Sequence, residues 1–400
     1  MIPRAAAPRA HALFAAVLAA GLLLATACAP RPAPTPTPAP APAPAPPLPP
    51  AAPAIDQTDR EMLALSFVAY TGERITGPDA EVSQRLVPCF VDELAKQPLA
   101  KDWELVWGPV VYRFEFALFN DNLLYAVRGR DDPTTLAVSV RGTNAPALFD
   151  WLIEDLSVFK LHRWPYGQPP PGLEPKIAEG TRKGLEILQR LVPPEGVPGD
   201  GQGIAAFLAG QVAANAPSRT TIHVTGHSLG GALSPVLALW LADTRGDWDP
   251  EGRADLHVTP FAGPTPGDAD FATYYDQRLG TSTTRFHDAI DVATMVWDVA
   301  GLRELPGLYL PVAELDDLEK GALDLLIDAL EHKHYEQIVA DQPPLAYREV
   351  DPALTSFPGQ AGWQHHCGYV CGLGVQETLL PVSEDCKTTP PSSCPACPGS

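Results

Sequence analysis

The sequence predicts an α/β fold built on a central, mostly parallel β-sheet, and three features indicate it. A β-branched run over residues 220–225 enters the hexapeptide Gly226–Gly231, and an Ala- and Leu-rich stretch leaves it, which is the pattern of a strand, a sharp turn and a helix. A buried-strand run over residues 256–261 is followed by a helical pattern over residues 269–279. Short strand-like runs upstream predict an antiparallel meander on one side of the sheet.

The chain begins with segments that are not part of this fold. Basic residues precede an apolar run, residues 13–24, which is too short to span a bilayer but suits a secretory signal. Small residues before Cys28 resemble a bacterial lipobox, in which the cysteine is acylated; cleavage without lipidation is the alternative. Residues 29–54 are almost wholly Ala and Pro and predict a semi-rigid polyproline II spacer.

These features divide the chain into four parts. We predict a signal peptide over residues 1–27, a lipid-bearing Cys28 with its linker over residues 28–54, a folded domain over residues 55–378, and a Cys- and Pro-rich tail over residues 379–400. The protein is therefore expected to be a cell-envelope lipoprotein or a secreted protein. Because Ala29 rather than Asp follows Cys28, we expect the outer membrane in a cell with two membranes.

Charge and cysteine content restrict the partners of the chain. The formal net charge of −20 argues against nucleic-acid binding and against electrostatic docking on anionic lipid. Six cysteines besides Cys28 predict up to three disulfides in an exported chain, with the pairing left open. Cys394 and Cys397 have no second cysteine pair at metal-site spacing, so we expect neither a metal nor another cofactor.

Between the linker and the hexapeptide, the apolar periodicity predicts a mixture of strands and helices. The predicted elements are a helix over residues 59–70, strands over 103–107, 110–118, 123–127 and 136–140, and helices over 145–159, 177–191 and 203–214. The amphipathic helix over 145–159 either covers a site as a lid or packs into the core, and both interpretations stay open.

After the hexapeptide, the periodicity predicts the strand and helix already named and one long acidic helix. Pro235 should remove one backbone hydrogen bond from the helix that follows the hexapeptide. The acidic helix, residues 315–338, is expected to be solvated on one face. Its candidate inward residues are Leu318, Leu325, Ile327 and Leu330.

The hexapeptide carries the candidate nucleophile, Ser228. Gly226 and Gly230 flank it where a side chain would collide as the strand folds back against the helix. An ordinary glycine-rich turn is the alternative interpretation. The N–H of Leu229 begins the helix and is one oxyanion donor; Thr143, just after the strand over residues 136–140, is the candidate second donor.

The remaining members of a triad would follow in chain order. An acid belongs in a loop after a late strand, where both Asp288 and Asp291 qualify. A base is expected later still, and His365 and His366 are the candidates.

Five segments in the same order resemble the class 3, or fungal-type, lipase family. They are Val140–Asn144, Asp150–Leu156, Val224–Leu233, Phe261–Tyr275 and Arg285–Ala293. The resemblance implies an α/β-hydrolase fold, cleavage of carboxylic esters, commonly of acylglycerols, and a Ser-Asp-His triad without a cofactor. Residue by residue, it matches Ser228 to the nucleophile, Leu229 and Thr143 to the oxyanion donors, Asp291 to the acid and residues 145–159 to the lid.

The histidine is the least certain match of this resemblance. Many fungal members show H-x-G, which would select His366, whereas bacterial members more often show Q-H-x-x-x-Y, which matches Gln364, His365 and Tyr369. We favour His365. The chain departs from the family by lacking a proline after the acid and by a long insertion over residues 302–356.

The expected function is therefore that of a lipase or esterase acting on lipid esters by a serine acyl-enzyme mechanism. Two alternatives stay open, a non-lipid carboxylesterase and a catalytically silent envelope lipoprotein with a hydrolase fold. The sequence predicts no oligomeric state.

Overall fold

The computed structural model describes residues 54–112, 122–142, 156–386, Cys394 and Cys397. Four predictions lie wholly or largely outside these residues. They are the signal peptide and linker, the acylation of Cys28, the second oxyanion donor Thr143, and the lid candidate, of which only residues 156–159 are described.

Seven strands and twelve helices are found among the described residues. The strands are Trp103–Tyr112 (β1), Asn122–Gly129 (β2), Thr135–Val140 (β3), Leu161–Arg163 (β4), Lys176–Ala178 (β5), Thr220–His227 (β6) and Ala254–Phe261 (β7). The helices are Gln57–Val68 (α1), Asp79–Lys96 (α2), Glu179–Arg190 (α3), Ile204–Ala214 (α4), Leu229–Asp243 (α5), Arg245–Trp248 (α6), Ala269–Leu279 (α7), Val292–Met295 (α8), Val299–Glu304 (α9), Asp317–Leu330 (α10), Phe357–Trp363 (α11) and Tyr369–Gly372 (α12). A π-helical turn, Gln364–Gly368, joins α11 to α12, and three short 3₁₀ turns complete the set.

The central sheet has the strand order β1-β2-β3-β6-β7. The β1, β2 and β3 strands pair antiparallel, as the predicted meander requires, and β6 pairs parallel with both β3 and β7. The α/β fold class is confirmed, but the sheet is mixed rather than mostly parallel. The reason is that half of its pairings belong to the meander.

Strand β1 joins two runs that the sequence separates. The predicted strands over residues 103–107 and 110–118 form one element through Tyr112, and its register with β2 shifts between Trp107 and Val110. Pro109 lies at this shift and has no N–H to donate, so it interrupts the ladder without ending the strand. Residues 113–118 are outside the described part.

Helices α2 and α10 depart from the sequence-based expectation. Helix α2 was not predicted, although it buries Val82, Leu86 and Phe90 at helical spacing. Helix α10 ends at Leu330, well before residue 338. The inward orientation expected of Leu318 and Leu325 is wrong, since they are 65% and 59% exposed; the buried leucines of α10 are Leu323 and Leu330.

Two helical layers cover the sheet, because successive side chains of a strand face opposite sides. On β2, Leu124 and Ala126 pack with the layer of helices α3, α4, α5 and α7. Leu123 and Tyr125 pack with α1 and α2 on the other side. Helix α5 runs through Pro235 without a break and is buried along most of its length.

The insertion before the candidate base forms a third apolar cluster. It joins buried residues of α8, α9, α10 and α11, such as Val292 and Phe357, with Tyr309 from the segment between α9 and α10, and it also contains Val158 of the lid candidate. The Tyr309 hydroxyl donates to the Ile290 carbonyl at 2.9 Å. The insertion therefore supports the loop that carries the candidate acid.

Three disulfides connect the tail to the domain: Cys89–Cys386, Cys367–Cys394 and Cys371–Cys397. They use all six cysteines named above. Within the described ranges, no helix has both the length and the apolarity needed to cross a bilayer.

Candidate active site

Ser228 lies in the sharp turn between β6 and α5. Its backbone has φ 62° and ψ −129°, a conformation that is strained for a residue with a side chain. An added Cβ at Gly226 would overlap the Gly230 carbonyl, and one at Gly230 would overlap the Val140 carbonyl. Both glycines are therefore required by the close approach of the strand end and the helix start.

Backbone donors surround this turn. Leu229 is the first residue of α5, where N–H groups have no acceptor within the helix and the helix dipole is positive. On the β3 side, an added Cβ at Gly142 would lie 3.0 Å from the Ser228 Cβ. The residue after Gly142 is Thr143, so the chain enters the undescribed segment directly beside the candidate nucleophile.

Asp291 and His365 meet in a buried contact. The His365 Nδ1 lies 3.2 Å from Oδ1 and 3.1 Å from Oδ2 of Asp291. The Asp291 carboxylate also accepts the Ala293 N–H at 2.9 Å and the Tyr369 hydroxyl at 2.8 Å. Three donors thus compensate a carboxylate that is shielded from water.

This contact determines which histidine nitrogen can act as a base. A carboxylate only accepts hydrogen bonds, so in neutral His365 the Nδ1 carries the proton and Nε2 is the basic nitrogen. The Nε2 atom is buried and has no hydrogen-bond partner in the described part of the chain. It is therefore the nitrogen available to take a proton from a serine hydroxyl.

The two candidate histidines have different surroundings. His366 is exposed, and its ring centroid lies 5.1 Å from that of Phe67 and 5.1 Å from that of His227. His366 contacts aromatic rings, whereas His365 contacts a carboxylate. The alternative acid, Asp288, accepts the Ile290 N–H at 3.0 Å and does not share the His365 contact.

His227 connects the serine turn to the histidine segment. It precedes Ser228 in the chain, and its Nε2 lies 2.7 Å from the His365 carbonyl, so Nε2 is the donor. The Tyr70 hydroxyl lies 3.3 Å from the other ring nitrogen. Burial, followed by the charges of His365 and His366, holds the pKa of His227 well below its usual range, which keeps the ring neutral.

Tyr369 is a second partner of the acid to which the sequence assigned no role of its own. Its hydroxyl accepts the Asp288 N–H at 3.1 Å and donates to Asp291. Burial, followed by the negative charge of Asp291, raises the pKa of Tyr369 well above its usual range. Its spacing of four residues from His365, which places both on one helix face, was the available signal.

Asp288 is a buried carboxyl beside the candidate triad. Burial raises its pKa to about 7; the Ile290 N–H opposes this shift and the charge of Asp291 adds to it. Its Oδ2 has no hydrogen-bond partner among the described residues. In the same part of the chain, no group of three or more His, Cys, Asp or Glu side chains is arranged to hold a metal.

The raised pKa of Asp288 predicts a pH-dependent stability. Folded Asp288 keeps a proton that the unfolded chain loses, so the free energy of unfolding falls as pH rises from about 4 to about 7 and then levels off. Relative to the natural protein, Asp288→Asn should gain up to about 3 kcal/mol between pH 5 and pH 8. Urea unfolding at both values measures this, with exposed Asp324→Asn as control; an equal gain in both variants would contradict it.

Two of three comparisons with known proteins agree with this geometry. The profile of the lipase (class 3) family matches residues 137–299, which include Ser228 and Asp291 and end before His365. The crystal structure of M37 lipase is 34% identical, with a TM-score of 0.74; the match covers 80% of this chain and 93% of that one. A search of curated proteins gives no match.

Fungal lipases are more distant. The triacylglyceride lipase of Rhizomucor miehei is 20% identical with a TM-score of 0.41, over 61% of this chain and 74% of that one. Lipase II from Rhizopus niveus is 19% identical with a TM-score of 0.39, over 61% and 76%. Likeness this low supports no argument of its own, but the M37 lipase match does. By that identity and coverage, together with the family profile, this chain belongs to the class 3 lipase family and is a carboxylic ester hydrolase with an α/β-hydrolase fold.

Proposed function

We propose that this protein is an exported, membrane-tethered lipase that hydrolyses lipid carboxylic esters with Ser228 as nucleophile, His365 as base and Asp291 as acid. The observation that carries this assignment is the buried His365–Asp291 contact, which leaves the Nε2 of His365 as the basic nitrogen. The strained turn at Ser228, tied to His365 through His227, supports it.

The proposed reaction is acyl transfer to water. His365 Nε2 takes the Ser228 hydroxyl proton as the serine oxygen attacks the ester carbonyl, and the N–H of Leu229 with Thr143 stabilises the oxyanion. The tetrahedral intermediate then loses the alcohol, which receives the proton from His365. Water then gives a proton to His365 Nε2 and attacks the acyl carbonyl; the bond between that carbonyl carbon and the Ser228 oxygen breaks, the serine oxygen regains the proton from His365, and the carboxylic acid is released. Asp291 orients the ring and stabilises the imidazolium.

Lipid esters are the proposed substrates because the family and the M37 protein are named as lipases. Acylglycerols are the common substrates that the class 3 lipase family implies, so triacylglycerols are the first substrates to test. The net charge of −20 favours uncharged lipid over anionic lipid. A nucleic-acid partner is disfavoured by the same charge.

The proposed location is the cell envelope, with Cys28 acylated. The apolar run over residues 13–24 and the small residues before Cys28 support export and lipidation. Three disulfides in one domain are typical of proteins that fold in an oxidising compartment. Under this proposal the Ala- and Pro-rich linker separates the enzyme from the membrane.

Substitution of the proposed triad residues should distinguish the roles of His365 and His366. Ser228→Ala and His365→Ala should each lower kcat by about 10⁴-fold or more, because nucleophile and base act as one unit. The matched variant His366→Ala should keep kcat within about threefold, because its contacts are with rings rather than with the acid. Purified variants are assayed on a short soluble ester and labelled with a fluorophosphonate. If kcat fell by this factor in His366→Ala and not in His365→Ala, the base would be His366 and not His365.

The physical form of the substrate, an emulsion or a monomer in solution, tests whether lipid esters are the substrates. We expect the turnover rate on emulsified triacylglycerol to exceed that on a monomeric short-chain ester at equal ester concentration, with Ser228→Ala as the background control. Hydrolysis of aryl and short esters without any activity on emulsions would instead identify a non-lipid carboxylesterase. No hydrolysis of any ester, together with no labelling of Ser228, would identify a catalytically silent protein.

Lipidation is tested at Cys28. In a bacterial host, the natural chain should sediment with membranes and yield an acylated Cys28 peptide in mass spectrometry. Cys28→Ser should remove the acyl mass and release the enzyme from the membrane fraction, whereas the neighbouring control Ala29→Ser should retain both. An unmodified Cys28 peptide in the natural protein would overturn the anchor.

A further inference from the structure

The segment that carries the candidate base has two differently used faces. His365 and Tyr369 are four residues apart, and both contact Asp291. Cys367 and Cys371 are also four residues apart but displaced from the first pair by two positions, which is close to half a turn of a helix. The catalytic pair and the cysteine pair therefore lie on roughly opposite sides of residues 364–372.

Among the described residues, the inner face is held by hydrogen bonds and close packing. These include the bonds to Asp291, the bond from the Asp288 N–H to the Tyr369 hydroxyl and the bond from His227 Nε2 to the His365 carbonyl. Gly368 packs so tightly against Asp288 that an added Cβ would lie 2.6 Å from its Oδ2. The strength of such contacts depends steeply on distance and angle, so a small shift of residues 364–372 would separate His365 from Asp291.

The outer face is held by covalent bonds to the tail. Cys367 is joined to Cys394, and Cys371 is joined to Cys397, with Cα–Cα distances of 5.5 and 5.8 Å. Cys394 and Cys397 are thus both bonded to the cysteine face of the histidine segment and not to each other. This arrangement assigns a structural role to the Cys394-Pro-Ala-Cys397 motif, to which the proposed mechanism assigns none.

We propose that the tail is a positioning element of the active site: Cys394 and Cys397, through their disulfides, hold residues 364–372 where His365 meets Asp291. The proposal rests on the assignment of His365 as base. Neither cysteine touches the reacting atoms, so both are positioning residues. Loss of the two bonds should lower the rate of the chemical step and leave ester binding nearly unchanged.

The third disulfide supplies the matched control. Cys89–Cys386 joins α2 to the start of the tail across 297 residues, whereas the other two disulfides span 27 and 26 residues. Removing the bond that closes the longer loop is expected to cost at least as much stability as removing either shorter one. Because the tail variant loses two bonds and the control loses one, both variants are assayed at the same temperature interval below their own unfolding midpoints, where a defect that arises only from lower stability would be as large in the control.

The test compares Cys394→Ser/Cys397→Ser with Cys89→Ser/Cys386→Ser in the full chain, well below both unfolding midpoints. On a short soluble ester, the first variant should lose kcat by tenfold or more with KM within twofold, and fluorophosphonate labelling of Ser228 should slow by a similar factor. The control should keep kcat and the labelling rate within threefold. Unchanged kcat in the first variant, or equal losses in both, would overturn the proposal.

Two further variants carry the test where the first does not fold. Cys367→Ser/Cys394→Ser and Cys371→Ser/Cys397→Ser each retain one bond to the tail. The first should lose more kcat, because Cys367 is nearer to His365; equal kcat in the two variants would count against the proposal. Failure of the proposed function is distinguishable, because then the natural protein itself would show neither labelling nor hydrolysis.

Discussion

The buried carboxylate of Asp291 is the group on which the rest of the site depends. An ionised carboxylate taken out of water is costly unless several donors surround it, and here the donors are His365, Tyr369 and the Ala293 N–H. These donors come from both sides of a long insertion. The arrangement therefore requires the insertion to pack against the loop that carries Asp291, and it requires the histidine segment to contact the same loop. One buried carboxylate thus orders two distant parts of the chain.

The serine turn depends on a different constraint, the contact of backbone with backbone. Parallel pairing sets Val140 opposite Gly226 and His227 opposite Phe261, so the turn begins at the same level as the ends of both neighbouring strands. The Ser228 N–H then donates to the Phe261 carbonyl at 3.1 Å. Gly226 and Gly230 avoid the overlap of a Cβ with the Gly230 and Val140 carbonyls, so that contacts with the neighbouring strands and helix α5 hold Ser228 in its strained conformation.

Whether the sequence could predict a feature of the fold or of the site depends on how local the interactions are that form it. The pattern of a few consecutive residues predicts the strand, turn and helix around Ser228, and likewise helix α7. The structure contains all of them. The choice between Asp288 and Asp291 and between His365 and His366 depends on contacts across 74 residues, which a single sequence expresses only through family resemblance. Helix α2 was missed although its apolar spacing was present. The exposed Leu318 and Leu325 show that apolarity alone does not assign the inner face of a helix.

The pairing of the tail with the histidine segment has a consequence for the order of biosynthesis. Cys394 and Cys397 leave the ribosome after the whole catalytic domain, and their bonds to Cys367 and Cys371 form only in an oxidising compartment. If the tail positions the base and the chain is exported as proposed, the enzyme completes its active site after translocation and not before. A hydrolase of lipid esters would then remain poorly active while its chain is still inside the cell that makes it, and the membranes of that cell would be spared.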